Sequence, residues 1–280
     1  RDSLILVFLE VLPSVNGVLV THAQENNAGY VKYTLVLYND TVLPGNVVRT
    51  GNNVGPNQIT YDPSNGYLYV TNSRSSTVSV INPSTNKVID TIKVGENPLG
   101  IAYDPSNGQI YVANSGSDNV LVISPSTNQV IDTIPIGIAP WGIAYDPSNG
   151  YIYVTNHGSS TVSVISSSTN QVIDTIKVGE NPLGIAYDPS NGQIYVANSG
   201  SDNVLVISPS TNQVIDTIPI GIAPWGIAYD PSNGYIYVTN CGYNTVSVIN
   251  PSTNQIVANI QVGTSPNCIA YDPTNGYLYV

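Results

Sequence analysis

The tripeptide Tyr-Asp-Pro recurs at Tyr61, Tyr103, Tyr145, Tyr187, Tyr229 and Tyr271, each 42 residues after the one before. A fixed period of this length means that one supersecondary unit has been copied, and that no single unit can bury its apolar surface without its neighbours. Residues 88–156 and 172–240 are identical over 69 positions, so a block of two units, 84 residues long, was itself duplicated. The chain is therefore an array, and its fold follows from what one unit can form.

Residues 145–186 show the pattern. Tyr151 to Thr155, Thr161 to Ile165 and Val172 to Val178 are short, alternating and rich in β-branched and aromatic residues, and Gly184 to Tyr187 adds a fourth apolar segment. Between them lie turns with a physical reason. In Asp146-Pro147-Ser148-Asn149-Gly150 the proline presets φ, the aspartate accepts a backbone N–H, and Asn-Gly supplies the positive φ of a hairpin exit. Pro83-Ser84-Thr85-Asn86 and its copies close the next hairpin. No segment carries a capped 3.6-residue period, so helix is expected to be nearly absent. Four antiparallel strands in each 42-residue unit predict an all-β chain, a β-propeller of four-stranded antiparallel blades.

The quartets Tyr69-Val70-Thr71-Asn72, Tyr153-Val154-Thr155-Asn156 and Tyr237-Val238-Thr239-Asn240, each preceded by Asp-Pro-Ser-Asn-Gly and a tyrosine, resemble the YVTN-type β-propeller repeat of archaeal surface-layer-like and secreted bacterial proteins. Two units read Tyr-Val-Ala-Asn instead, at 111–114 and 195–198. The resemblance covers about residues 31–280 and implies the propeller fold. It says little about function, because the quartet describes a blade and not a site. Complete units are 61–102, 103–144, 145–186, 187–228 and 229–270, with partial units at 31–60 and 271–280. Tyr33 to Tyr38 and Asn46 to Arg49 align with the last two strands of a unit, and Cys268 to Asp272 and Tyr277 to Val280 with the first two, which makes six blades' worth of strands. Joining the termini in one shared blade would remove two exposed sheet edges. The resemblance implies seven blades more often, so the chain is expected to be part of a seven-bladed or larger ring, with residues 25–280 as one propeller domain.

Residues 1–24 differ in kind. Arg1, the apolar run Leu4 to Leu12 broken by Glu10, Val18 to Val20, and the small residues Thr21 and Ala23 read as a signal-peptide-like leader. There is no methionine, even at position 1, so the sequence reads as a fragment or a processed chain. With 7 Lys and Arg against 18 Asp and Glu, a net charge of −11, the chain has too little positive charge to neutralise a run of phosphates. Nucleic acid is thereby excluded as a partner, and no segment approaches the roughly 20 apolar residues that membrane insertion of the mature domain would need.

Candidate site residues are those that leave the repeat, on the face opposite the Asp-Pro-Ser-Asn-Gly turns. Trp141 and Trp225 stand where other units have Leu99 and Leu183, and one loop position reads Ser73, Ser115, His157, Ser199 and Cys241 in successive units. The tryptophans suit a planar or sugar ligand, although covering blade-to-blade contacts is the commoner use of such residues in a propeller. Asp118 and Asp202 offer oxygen atoms, but without the spacing of a calcium loop. Cys241 and Cys268, on one face of neighbouring units, are candidates for a disulfide in an exported protein. Asn39 begins the one glycosylation sequon. A single histidine outside the leader argues against zinc, and hydrolase, nucleotide and haem signatures are missing, so no metal and no cofactor are expected. Of 20 tyrosines, 16 fall at repeat positions and belong to the blades. The reading is a secreted or cell-surface, non-enzymatic propeller acting as scaffold or binding module, its partner a cell-envelope protein or glycan. The alternative is a propeller enzyme similar to the lactonase group, with a metal at the axis.

Overall fold

Within each unit both faces of the central strands are apolar, so a sheet of this sequence must be covered on two sides. The computed structural model describes residues 54–272 and 275–280, together with Thr50 and seven short strands before it. Five four-stranded antiparallel sheets follow one another, each a meander in chain order. Blade 1 comprises Pro56–Asp62, Tyr67–Asn72, Thr77–Asn82 and Lys87–Lys93; blades 2 to 5 open at Pro98, Pro140, Pro182 and Pro224. Each sheet thus starts five residues before the Tyr-Asp-Pro frame, whose units cut through the innermost strand. The cores lie between blades. Tyr153, Val162, Val164 and Ile176 of blade 3 pack against Ile185, Ile194, Val196 and Ile207 of blade 4, and the same set recurs at the other junctions. The outermost strand gives one buried residue in each of blades 1 to 4, Ile92, Ile134, Ile176 and Ile218, and none in blade 5, where Ile260 is exposed. A bulge in that strand turns Ile173 and its counterparts outward and disrupts the exposed edge.

Every letter of the Tyr-Val-Thr-Asn quartet has a task. Tyr153 is fully buried, and its hydroxyl takes a bond from Asn149 of its own turn and donates to Asn212 of the next blade. Val154 fills the interblade core. Asn156 reaches across the loop to Thr161 and Ser163 at 3.0 and 2.9 Å, fixing where the second strand hands over to the third. Thr155 sits opposite a bulge of the innermost strand, where Trp141 and Gly142 together face one residue. Its hydroxyl accepts the Gly142 N–H at 2.8 Å and donates to the Leu183 carbonyl of the next blade, also at 2.8 Å. Thr71 and Thr239 make the same clip, whereas Ala113 and Ala197 have no hydroxyl to offer. Thr155→Ala strips one buried donor and one buried acceptor of a partner, and is expected to lower stability by about 2 kcal/mol. Urea unfolding monitored by circular dichroism checks this; a midpoint shift equivalent to less than 0.5 kcal/mol (about the scatter of surface substitutions) would contradict it.

The terminal strands do not join in one shared blade. Ala270–Asp272 pairs with Tyr277–Tyr279 in a two-stranded sheet of their own. Tyr30–Tyr33, rather than Tyr33 to Tyr38, pairs with Asn46–Arg49, in a sheet with Leu4–Ile5 and Ala23–Glu25. Leu35–Leu37 instead joins Val18–Val20 and Thr41–Val42. The N-terminal segment has no Asp-Pro-Ser-Asn-Gly turn to hold a blade's register, so its strands pair with near neighbours in the chain. Thr34 and Tyr38, and the leader apart from Leu4–Ile5, Val18–Val20, Ala23 and Gln24, lie outside the described residues. Among the described residues every regular element is a strand, and no helix is long and apolar enough to cross a membrane.

Candidate loop-face aromatic site

The loop face is built by two loops that zip together at each blade. In blade 3, His157 and Gly158 donate their N–H groups to the carbonyls of Ala139 and Ile138, each at 3.0 Å, and Ile138 N–H bonds the Ser159 hydroxyl. The loop is also tied to blade 2, where the Asp118 carboxylate accepts the Ala139 N–H at 2.8 Å. Blade 5 repeats the arrangement, with Cys241 and Gly242 on Ala223 and Ile222 and with Asp202 on Ala223. Asp118 and Asp202 are thus loop staples, themselves at φ 52°.

This scaffold brings the aromatic departures together. The bulge in the innermost strand re-aims the side chain at the Leu99 position, and in blades 3 and 5 that residue is tryptophan. Trp141 and Trp225 belong to innermost strands two blades apart, yet their rings meet edge to face, 5.7 Å between centroids at 81°. His157 lies against Trp141 at 6.0 Å and 40°. The tryptophans make a contact between blades 3 and 5 and stay half-exposed. Edge-to-face packing sets the edge of one ring against a face of the other, so the two planes are not stacked on each other. Exposed Ile138 and Ile222 border them. Exposed Tyr243 follows Cys241, which occupies in blade 5 the place that His157 holds in blade 3.

Sequence comparison of units singled out the tryptophans and His157 but passed over the isoleucines, whose signal was the alternation of Val-Gly-Glu-Asn-Pro with Ile-Gly-Ile-Ala-Pro before successive blades. That alternation puts alanine at positive φ, 50° at Ala139 and 51° at Ala223, where sister loops have Asn97 and Asn181. Alanine is disfavoured there by about 1 kcal/mol or more, and such strain clusters at binding sites. The two cysteines are half-buried thiols, and the suggested bridge is not formed. Cys268 takes the close-packing position filled by Gly226 in blade 5, and Asn39 lies outside the described residues. Among the described residues no three His, Cys, Asp or Glu side chains come together as a metal site.

A family model described as YNCE-like beta-propeller matches residues 58–155, about a third of the chain. The matching model is therefore YNCE-like, where the quartets had suggested the YVTN type. No curated protein matches the chain by sequence. A solved structure titled hydrazine synthase, from Kuenenia stuttgartiensis, is similar with a TM-score of 0.61 at 18% identity, over 82% of this chain and 93% of that one. At that identity the likeness is one of fold, and the fold it supports is a β-propeller.

Proposed function

We propose that the chain is a non-enzymatic binding propeller, exported to the cell surface, whose loop face holds a flat ring carried by a cell-envelope protein or glycan. The observation that carries this reading is the Trp141–Trp225 contact across blade 4, bordered by exposed isoleucines on loops held by hydrogen bonds. A propeller domain without a clustered His, Cys, Asp or Glu site among its described residues fits a scaffold. The leader-like start and the sparse charge support export.

The repeat supplies its own control, because leucine occupies the tryptophan position in blades 2 and 4. Trp141→Leu and Trp225→Leu should each weaken binding about tenfold, equivalent to the roughly 1.4 kcal/mol of a lost aromatic contact, with little change in melting temperature. The chain has only two tryptophans, so indole emission reports the site directly. Titration with nucleobase, catechol and methyl glycoside fragments provides the measurement. A fragment that quenches wild type and is lost in both variants supports the reading. Absence of quenching by the whole panel, or recovery of the epitope-tagged protein from the cytoplasm alone, would overturn it.

A further inference from the structure

The opposite face, where the hairpin turns lie, carries two matching hollows. One, of 430 Å3, lies at the junction of blades 1 and 2, and the other, of 350 Å3, at that of blades 3 and 4. The first is lined by Ser64 and Asn65 of one blade, Asn107 to Gln109 of the next, and the turn around Pro125. The second is its copy 84 residues on, around Asn149, Asn191, Gln193 and Pro209. Both belong to blades whose second strand opens with glutamine, at Gln109 and Gln193, where blades 1, 3 and 5 have Tyr67, Tyr151 and Tyr235. The smaller side chain leaves the space that a phenol ring would take.

The lining is polar and without charge. Hydroxyls, carboxamides and glycine backbone supply it, and no lysine, arginine or carboxylate is among its residues. The aspartates of the lining turns, Asp62, Asp104, Asp146 and Asp188, are buried and accept from Ser64, Ser106, Ser148 and Ser190. Each glutamine Oε1 lies 3.3 Å from the buried hydroxyl of Tyr111 or Tyr195, whose one proton it shares with Asn170 Oδ1 at 3.0 Å or Asn254 Oδ1 at 3.2 Å on the next blade, and the Nε2 group adds donors that tyrosine in the sister blades does not have. The serine hydroxyls of the proline turn stand in pairs, Ser124 with Ser126 and Ser208 with Ser210, each 2.9 Å apart. An anion finds no cation here and meets a chain of net charge −11, whereas Pro125 and Pro209 give each hollow an apolar wall beside its hydroxyls and carboxamides, as the mixed faces of a sugar ring require. An uncharged, hydroxyl-rich chain offers the alternating donors and acceptors that amides and hydroxyls can match.

We propose that these two hollows are a paired site for an uncharged glycan, independent of the aromatic site on the other face. Shallow single sites of this kind bind on the order of 1 mM, and each hollow takes its own ligand. The test is calorimetric titration of the full chain with cellohexaose, mannohexaose and chitohexaose. At least one is expected to bind with two sites per chain. Gln109→Tyr or Gln193→Tyr should leave one site and the double variant none, with circular dichroism and melting temperature preserved, because tyrosine is already the residue of the sister blades. Binding at the hollows should leave the indole emission unchanged, because both tryptophans of the chain lie on the other face, which separates this proposal from the loop-face reading. No binding at 10 mM (about ten times the expected constant), a stoichiometry indifferent to both glutamines, equal binding of a charged hexauronate, or binding only of a polar Ser/Asn peptide would each overturn it.

Discussion

Gly184→Ala should destabilise the protein by about 3–5 kcal/mol, at the upper end of what a single methyl group costs. A Cβ built on Gly184 would stand 2.2 Å from the carbonyl oxygen of Trp225, 3.1 Å from Ile227 Cγ2 and 3.2 Å from its backbone nitrogen. The first contact is with backbone, so no rotamer change relieves it, and the innermost strand of blade 5 must move. The same close approach recurs at Gly100 on Trp141, Gly142 on Leu183 and Gly226 on Asn267, at 2.3, 2.4 and 2.5 Å. Glycine there sets how closely neighbouring innermost strands approach, and therefore whether Trp141 and Trp225 can meet across blade 4. Two other glycines isolate the cause. Gly192 has positive φ, 71°, but open space around it, so alanine should cost about 1–2 kcal/mol from conformation alone. Gly263 has open space and no positive φ, and its alanine variant should stay within about 0.5 kcal/mol of wild type. Urea midpoints should therefore rank the variants 184, 192, 263 in order of damage. A Gly184→Ala protein as stable as Gly263→Ala would remove the close-packing argument.

Those glycines also show what could be read from the sequence. Gly100, Gly142, Gly184 and Gly226 were visible as a glycine shared by four consecutive units, with Gln58 and Cys268 at the two ends, and the turns, the tyrosines and the four strands per unit were visible likewise, because 42-residue periodicity registers residues that neighbouring blades both need. The Asp-Pro-Ser-Asn-Gly turn was legible down to its mechanism: Asp146 Oδ1 accepts the Ser148 N–H at 2.8 Å, and Gly150 stands at φ 73°. What a period cannot show is distance across the arc. That Trp141 and Trp225 touch depends on the strand bulge opposite Thr155 and on the radius at which five innermost strands are set, neither of which is written in one unit. The start of the blade at Pro140, rather than at Tyr145, was hidden for a related reason, since a repeat has the same period wherever it is cut. Before blade 1 the repeat itself fades, and with it the grounds for joining the ends in one blade. The Gln109 and Gln193 hollows sat in plain view as a tyrosine-to-glutamine alternation, but only pairing with the next blade's turn gives the alternation a shape.

The same buried tyrosines that bridge the blades should make the fold collapse in alkali. Tyr69, Tyr111, Tyr153 and Tyr195 are fully buried, and burial, reinforced by nearby carboxylates and opposed by the asparagine bond to each hydroxyl, pushes their phenols up from 10.0 to about 12. Folded, each keeps its proton to about pH 12; unfolded, it loses it near pH 10. Unfolding therefore releases protons between those values, and the stability these groups contribute is complete below pH 10 and lost as pH rises towards 12. Each contributes a slope of about 1.4 kcal/mol per pH unit, so four together remove roughly 5 kcal/mol per unit. Two units of that slope match the whole stability of an ordinary domain, about 5–15 kcal/mol. The expected record is two-stage: phenolate absorbance at 295 nm first rises near pH 10 (the ordinary value for exposed tyrosines), then jumps together with loss of far-ultraviolet circular dichroism near pH 11. Tyr153→Phe separates the linked proton from the lost hydrogen bonds. At neutral pH it should cost about 1 kcal/mol, for the bonds to Asn149 and Asn212. Between pH 10 and 12 it should flatten the decline by less than about a quarter, because one linked proton is gone while the other three remain and burial also pushes up Tyr61, Tyr103, Tyr145, Tyr229 and Tyr237. All tyrosines titrating together near pH 10 with the dichroism intact to pH 12 would contradict the buried bridge, since a phenol that ionises without unfolding is one that water already reaches.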